Sequence, residues 1–338
     1  MENTQIKAVV ATVAVIGGGS WATAIVKILS EQNLQIHWWL RNTKDAAFIR
    51  KFNQNPSYLS DVEINPDKVT VTTNILHAIE TAEVVFLVVP AAFMTDALKD
   101  LPKNYLQNKI IVSAVKGMIP ERNLLITEYV AEDFGVLHEK IAIIAGPCHA
   151  EEVALERQSY LTIASENTQT AQIVANLLTC AYIKATPFGD IYGVEYSAII
   201  KNIVALTCGI AHGLGYGDNF QAVLVSNAMK EIENFIQALR PMPRNLAQTA
   251  YLGDLLVTAY SQFSRNRTFG NMIGRGYTVQ SAQMEMNMIA EGYYAVKSIY
   301  AINEKHNADL PITTAAYRIL YEKASAKREI DVLRKIFV

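Results

Sequence analysis

Two kinds of hydrophobic spacing divide the chain. Between residues 12 and 190, short apolar runs of strand length alternate with stretches in which apolar side chains recur every three to four positions. The runs at 12–16, 35–40, 69–73, 84–89, 109–115, 141–145, 160–165 and 182–186 predict strands, and 22–29, 46–53, 75–81, 91–98 and 170–178 predict helices. Pro56 and Pro66 interrupt a polar segment that reads as a loop. Alternation of this kind implies a parallel sheet with right-handed crossovers. Beyond Asp190 the strand signal stops, and 194–214, 219–239, 253–260, 286–306 and 312–336 carry only helical spacing. The expected class is α/β plus all-α, with an α/β unit over residues 1–190 and a helical unit over 191–338.

Length and charge sharpen this picture. At 338 residues the chain exceeds the roughly 250–300 at which a single core stops growing, in keeping with two units. Thirty basic against 32 acidic residues leave a formal charge of −2, so no general attraction to nucleic acid or an anionic membrane is expected. An anionic ligand would have to be met by a few local lysines and arginines. Cys148, Cys180 and Cys208 are widely separated and lack metal-ligand spacing, so no metal site is expected, and a reduced, cytoplasmic setting accounts for them most simply. No uninterrupted apolar run reaches 18 residues, and no membrane-spanning helix is expected. The apolar stretch after Lys7 imitates a secretory leader but is needed as the first strand.

The first strand runs directly into GGGSWATA at 17–24. Gly17, Gly19 and Ala22 fill a G-x-G-x-x-A pattern: the first glycine makes the tight turn, the second admits a phosphate to the backbone, and the small third residue lets helix and strand pack closely. The helix opening there points free N–H groups at an anion over the turn, so a Rossmann-type unit holding a dinucleotide pyrophosphate is expected. Where an Asp or Glu would hold the ribose 2′-hydroxyl of NAD, the second strand ends in Arg41. An arginine there can accept a 2′-phosphate, so NADPH should be usable, with NADH left open. Gly17, Arg41, Pro90 and Lys116 all fall at carboxyl ends of predicted strands, where one crevice should collect them.

In the helical half, the polar residues that interrupt apolar helices are the informative ones. Lys201 stands among Ile199, Ile200, Ile203, Val204 and Leu206. It either snorkels to the surface or is desolvated toward a pKa useful for a general base, and residue types alone favour snorkelling. Asp254 after Gly253 suits a helix N-cap as well as a catalytic carboxylate. Ser264, Arg265, Asn266 and Arg267 offer hydroxyl, guanidinium and amide donors within one turn, as a phosphate group requires, or form a solvated loop.

With Lys116-Gly117, GPCHAEEVA at 146–154, Glu195 ahead of Lys201-Asn202, GLGYGDN at 213–219, GD at 253–254, SRNRTFG at 264–270 and Glu291-Gly292 after Ile289, the whole chain resembles the bacterial type of NAD(P)-dependent glycerol-3-phosphate dehydrogenase. The resemblance implies reversible reduction of dihydroxyacetone phosphate to sn-glycerol 3-phosphate with NADPH or NADH, supplying phospholipid synthesis in the cytoplasm. It implies that the glycine loop with Ser20 and Trp21, Arg41, Lys116, Ala150, Arg265, Ile289 and Glu291 line the dinucleotide site. Lys116, Gly146, Cys148, Lys201, Asn202, Asp254, Ser264, Arg265 and Asn266 would surround the phosphorylated triose. Lys201 is the implied general acid/base, with Asp254 tuning or orienting it, and Arg265 and Asn266 the implied phosphate holders. A homodimer formed through the apolar faces of the helical half is also expected.

Three positions and one stretch depart from the family pattern. Ala22 replaces a glycine, Gly18 replaces a more common alanine, Cys148 stands where Ser or Thr is usual, and 245–252 lacks the glycines that usually approach Gly253-Asp254. Cys148 beside His149 suggests a thiol nucleophile, but chain neighbours seldom point at one another. His212 is expected in the core or at a helix end, and Trp38 and Trp39 in sheet packing. Two other readings stay open: a sister two-domain β-hydroxyacid dehydrogenase of the ketopantoate or 6-phosphogluconate type, and a nucleotide-binding redox sensor without turnover.

Overall fold

The computed structural model describes residues 10–286 and 290–337. In chain order its first half runs β1 (Thr12–Ile16), α1 (Ser20–Ser30), β2 (Gln35–Trp39), α2 (Thr43–Phe52), β3 (Val69–Thr72), α3 (Ile75–Ile79), β4 (Val84–Leu87), α4 (Met94–Leu98) and β5 (Ile110–Ser113). A small hairpin, β6 (Met118–Ile119) with β7 (Leu124–Leu125), leads to α5 (Ile126–Phe134), β8 (Ile141–Ala145), α6 (Ala150–Ala154), β9 (Ser159–Ala164), α7 (Thr168–Leu178) and β10 (Ile183–Phe188). Helices make up the rest: α8 (Ile191–Gly213), α9 (Asp218–Leu239), α10 (Asp254–Tyr260), α11 (Arg265–Gly274), α12 (Val279–Glu285), α13 (Glu291–His306), α14 (Pro311–Tyr321) and α15 (Ala326–Ile336).

Eight strands form one sheet in the order β10-β9-β8-β5-β4-β1-β2-β3. The six from β3 to β8 are mutually parallel. The chain winds outward from β1 in both directions, which opens a crevice above the β1–β4 boundary. The wholly parallel sheet expected from the alternation needs one correction: β9 pairs antiparallel with β8, through Ile143 opposite Ala164, and β10 then runs parallel to β9. The connection 146–158 stays at the carboxyl edge, where its only helix, α6, rests on α1, so the chain re-enters the sheet from that edge.

Alternation along β1 sorts its side chains into two cores. Val13 and Val15 pack with Ala22, Ile25, Val26 and Leu29 of α1. Ala14 and Ile16 face the other way, into a core that continues without a break through Ile199, Ile203, Phe235 and Ile299 of the helical half. Helices cover both sheet faces, which explains why β1 and β4 read as almost continuous apolar runs.

Helix α8 is the axis of the helical half. It is buried all round, with α9, α10, α11, α13 and α14 packed on it. By length and composition alone it could cross a membrane, but it is enclosed within the fold. On one side Gly209 and Gly213 meet Gly270 and Gly274 of α11 so closely that a Cβ at any of the four would run into facing backbone. The helical spacing of 312–336 resolves into two helices, with Ser325 capping α15 by accepting from Arg328 N–H. The predicted 286–306 helix begins only at Glu291; residues 287–289 lie outside the described ones.

Candidate active site

Above the β1–β4 boundary lies a cleft of about 560 Å³, within the range of small-molecule sites. Its floor is the glycine turn. Gly17 has φ +139°, and a Cβ there would lie 2.6 Å from the Val88 carbonyl oxygen, so both conformation and space demand glycine. Gly19 starts α1 in an extended conformation, and a Cβ on it would project into open space. No acidic residue occupies the first turn of α1 and no side chain caps it. An open cradle at an uncapped helix N-terminus fits a pyrophosphate. Ala22 is fully buried, so the smaller family residue is not needed for helix and strand to pack.

Two anchors behind this turn escape sequence reading. Trp38 is fully buried in the sheet as expected, but its indole N–H also donates to Gly17 O at 2.6 Å. Buried Asn55 donates to Gly18 O at 3.1 Å and to Thr23 Oγ1 at 2.9 Å, while its own carbonyl accepts from Ser57 and Tyr58 N–H. The Asn-Pro pair at 55–56 marks a turn in the sequence, but nothing local shows that the turn folds back on the glycines. At the cleft mouth, Arg41 stands two residues past β2 as an exposed side chain with its guanidinium 5.7 Å from the Phe93 ring centroid.

At the inner end, Lys201 donates to Asp254 Oδ1. Lys201 is 2% exposed, which overturns the snorkelling expectation: α8 is enclosed on every side, and four methylenes cannot reach water. Asp254 is 1% exposed; its Oδ2 accepts from Gly146 N–H at 3.3 Å, and Lys116 Nζ lies 3.6 Å from its Oδ1. Desolvation would raise the Asp254 carboxyl, but Lys116 and Lys201 outweigh it and hold the group below the usual carboxylate range. For Lys201 burial dominates and pulls the amine down to about 7, with Asp254 opposing and Lys116 assisting. Two amines thus share one carboxylate, and the more deeply buried one gives up its proton first.

Around this pair, Asn202 donates to Lys116 O at 2.9 Å, tying α8 to the end of β5. Asn266, which lines the cleft, accepts from Gly292 N–H through Oδ1 at 2.8 Å, so its NH2 donors are not consumed by that bond. Ser264 caps α11 by accepting from Arg267 N–H, so its hydroxyl proton remains for another acceptor. Arg265 reaches across to Ser20 Oγ at 3.4 Å, and Glu291 accepts from Ala91 N–H at 3.2 Å. These two contacts join the helical half to the glycine loop and to the segment that follows β4. The cleft is lined by every residue that the resemblance places in the two sites except Gly146, which touches it only through Asp254, and Ile289, which lies outside the described residues; Arg267 of the donor cluster does not line it, and its Nε is buried elsewhere.

Other candidates fall away from the chemistry. Burial pushes the Cys148 thiol up to about 12, so no thiolate is on hand for nucleophilic attack. His149 is held below its ordinary value by burial and by Lys116. Glu195 is buried against Thr127, whose hydroxyl donates to it at 2.5 Å, and His212 sits exposed at the end of α8. Among the described residues, no group of three or more His, Cys, Asp or Glu is gathered as a metal ion would require.

Known proteins resemble this chain over nearly its whole length. Residues 12–171 match the family described as NAD-dependent glycerol-3-phosphate dehydrogenase N-terminus, and residues 190–331 match its C-terminus. A glycerol-3-phosphate dehydrogenase [NAD(P)+] of an Exiguobacterium species is 35% identical over 96% of this chain and 95% of its own length. The Clostridium botulinum protein of the same name is 35% identical over 95% of this chain and 96% of its own. The crystal structure of glycerol-3-phosphate dehydrogenase from Coxiella burnetii superposes with a TM-score of 0.87 at 26% identity, covering 96% of this chain and 98% of that one. With both of its halves matched and whole-length relatives at this identity, the chain belongs to the NAD-dependent glycerol-3-phosphate dehydrogenase family.

Proposed function

We propose that the protein reduces dihydroxyacetone phosphate to sn-glycerol 3-phosphate with NADPH or NADH, reversibly, with Lys201 as the proton donor and acceptor. The observation that carries this reading is a desolvated amine bonded to a buried carboxylate at the inner end of a cleft whose other end is a dinucleotide turn. Residues up to Asp190 form the dinucleotide unit, and those from Ile191 onward supply most of the triose site.

When bound, the dinucleotide supplies a hydride from C4 of its nicotinamide. The glycine turn and the first N–H groups of α1 hold its pyrophosphate, and Arg41 meets the ribose. Arg265, Asn266 and Ser264 at the start of α11 grip the triose phosphate with charge-assisted and neutral hydrogen bonds. That grip places the C2 carbonyl at Lys201. The ammonium form polarises the carbonyl, stabilises the negative charge growing on its oxygen and then gives that oxygen a proton. Asp254 keeps the amine aimed, and Lys116 adds positive charge beside it. In the reverse direction neutral Lys201 takes the hydroxyl proton. The product suits glycerophospholipid synthesis in a cytoplasmic setting, and a homodimer joined through the helical half is part of the proposal.

Cofactor oxidation with dihydroxyacetone phosphate and NADPH tests this directly. Rapid oxidation that depends on the triose phosphate is expected; oxidation only with a different hydroxyacid's ketone, or none at all, overturns the reading. Arg41→Ala should weaken NADPH several-fold more than NADH, because only the former carries a 2′-phosphate for the guanidinium to meet. Equal losses in fluorescence titrations of the two reduced cofactors would show that Arg41 does not read that group.

A further inference from the structure

We propose that Tyr251, Asp190 and Arg244 form a buried clamp that positions the acid/base pair, by fastening the turn that presents Asp254 to the first turn of the helix that carries Lys201. The proposal rests on the role given to Lys201 above.

Asp190 sits at the start of α8 and caps it, its Oδ1 accepting from Gly193 N–H at 3.0 Å. Oδ2 accepts from Arg244 Nε and from the Tyr251 hydroxyl, each at 2.5 Å, and Arg244 Nη2 reaches Oδ1 at 3.3 Å. The cluster is shielded from solvent on most sides: Tyr251 is fully buried, and the side chains of Arg244 and Asp190 are nearly so. Desolvation raises the Asp190 carboxyl, but Arg244, Tyr251 and Gly193 outweigh it and keep the group ionised, below its ordinary range. None of the three side chains lines the cleft.

The clamp acts on an unusual piece of backbone. Thr249–Gly253 is a π-helical turn that runs directly into α10, whose first residue is Asp254. Single π-helical turns of this kind are rare and occur frequently at functional sites. Residues 245–252 contain no glycine, so the approach to Asp254 is stiffened by contacts rather than freed by small residues. Tyr251, three positions before Asp254, sets its ring edge-on to Phe188 at the end of β10, at 6.1 Å between centroids. Gly253 packs on Pro147, so that a Cβ at position 253 would stand 3.7 Å from the proline ring. The neighbouring Gly146 N–H is the donor that holds Asp254 Oδ2. The Asp254 carboxylate is therefore held by the 146–147 loop on one side and by the two amines on the other, while its backbone is held through the Tyr251 hydroxyl. Asp190 and Lys201 flank and occupy the same helix, so the clamp ties both members of the acid/base pair to one rigid element.

Tyr251→Phe removes a single hydroxyl and tests this. For dihydroxyacetone phosphate reduction, kcat should fall roughly tenfold to a hundredfold, the scale on which a small misplacement of a catalytic group is felt. KM and NADPH affinity should hold, and the pH limb belonging to Lys201 should move. In an Asp254→Asn background the same substitution should change kcat little, because the clamp acts through Asp254. Arg244→Met should reproduce the loss and Arg244→Lys should recover part of it; this pair decides the matter if Tyr251→Phe does not fold. A folded Tyr251→Phe protein with full kcat and an unmoved pH limb overturns the proposal, as do losses that multiply in the double variant. Inactive wild-type protein would instead remove the functional reading, and the clamp with it.

Discussion

Replacing Lys201 with alanine is expected to lower kcat by about 10³-fold or more while NADPH still binds. General acid/base transfer by a positioned side chain contributes roughly 10²–10⁴-fold. In the role proposed for it the same ammonium would also face the charge that develops on the C2 oxygen, an effect of comparable size when a donor is removed. One group plays both parts, so the losses do not simply multiply. The fold should tolerate the change, because Lys116, 3.6 Å from the same carboxylate oxygen, still offsets the charge of Asp254. The wild-type pH profile follows from the burial that pulls Lys201 down to about 7. Reduction requires the ammonium form, so its kcat/KM should fall as pH rises through that value. Oxidation requires the neutral amine and should rise through the same region. Cofactor titration together with steady-state rates in both directions checks all of this. A variant that keeps its turnover, or a deeper loss and a displaced pH limb in Lys116→Ala instead, would move the proton to the other amine.

Arg265→Ala is the second large effect expected, lowering kcat/KM for dihydroxyacetone phosphate by about 10²- to 10³-fold. Truncating one partner of a desolvated, hydrogen-bonded charge pair costs about 2–5 kcal/mol, and each 1.4 kcal/mol is a factor of ten. The loss should fall on kcat as well as KM, because the phosphate grip is what sets the carbonyl against Lys201 and because Arg265 also reaches Ser20 in the glycine loop. Arg265→Lys should recover only part of it, since an ammonium lacks the planar fork that matches a phosphate. Unphosphorylated dihydroxyacetone provides the internal control: wild type and variant should turn it over equally poorly. If the variant loses activity on that substrate to the same degree, Arg265 supports the fold or the cofactor loop and does not grip the phosphate.

Much of this arrangement could be read from the chain because its signals are local. The run from Thr12 to Ile16, the glycines after it and the apolar face of α1 lie within two dozen residues, and each specifies its neighbour's conformation. Arg41 and Lys116 could be placed at strand ends by counting, and the parallel order then brings strand ends together. The features that sequence reading missed or misjudged all depend on contacts distant in the chain. The reversal at β9 depends on where α6 comes to rest. Lys201 looked able to reach water because a lysine's residue type alone favours snorkelling, whereas its desolvation comes from five other helices closing over α8. Trp38 and Asn55 hold the glycine turn from 21 and 37 residues away along the chain, and no periodicity announces a partner at such range. Cys148 posed the opposite problem, a reactive-looking pair in the sequence whose thiol is made inert by burial.

The glycine contacts between α8 and α11 have a consequence for which substrates fit. Main chain touches main chain there, so the separation between the phosphate grip at the start of α11 and the amine on α8 is a fixed gauge that side-chain rearrangement cannot stretch. With the phosphate held at the start of α11 as proposed, a ketone phosphate with one more carbon between phosphate and carbonyl is expected to overshoot Lys201, so that the closeness of two helices would set the length of substrate accepted.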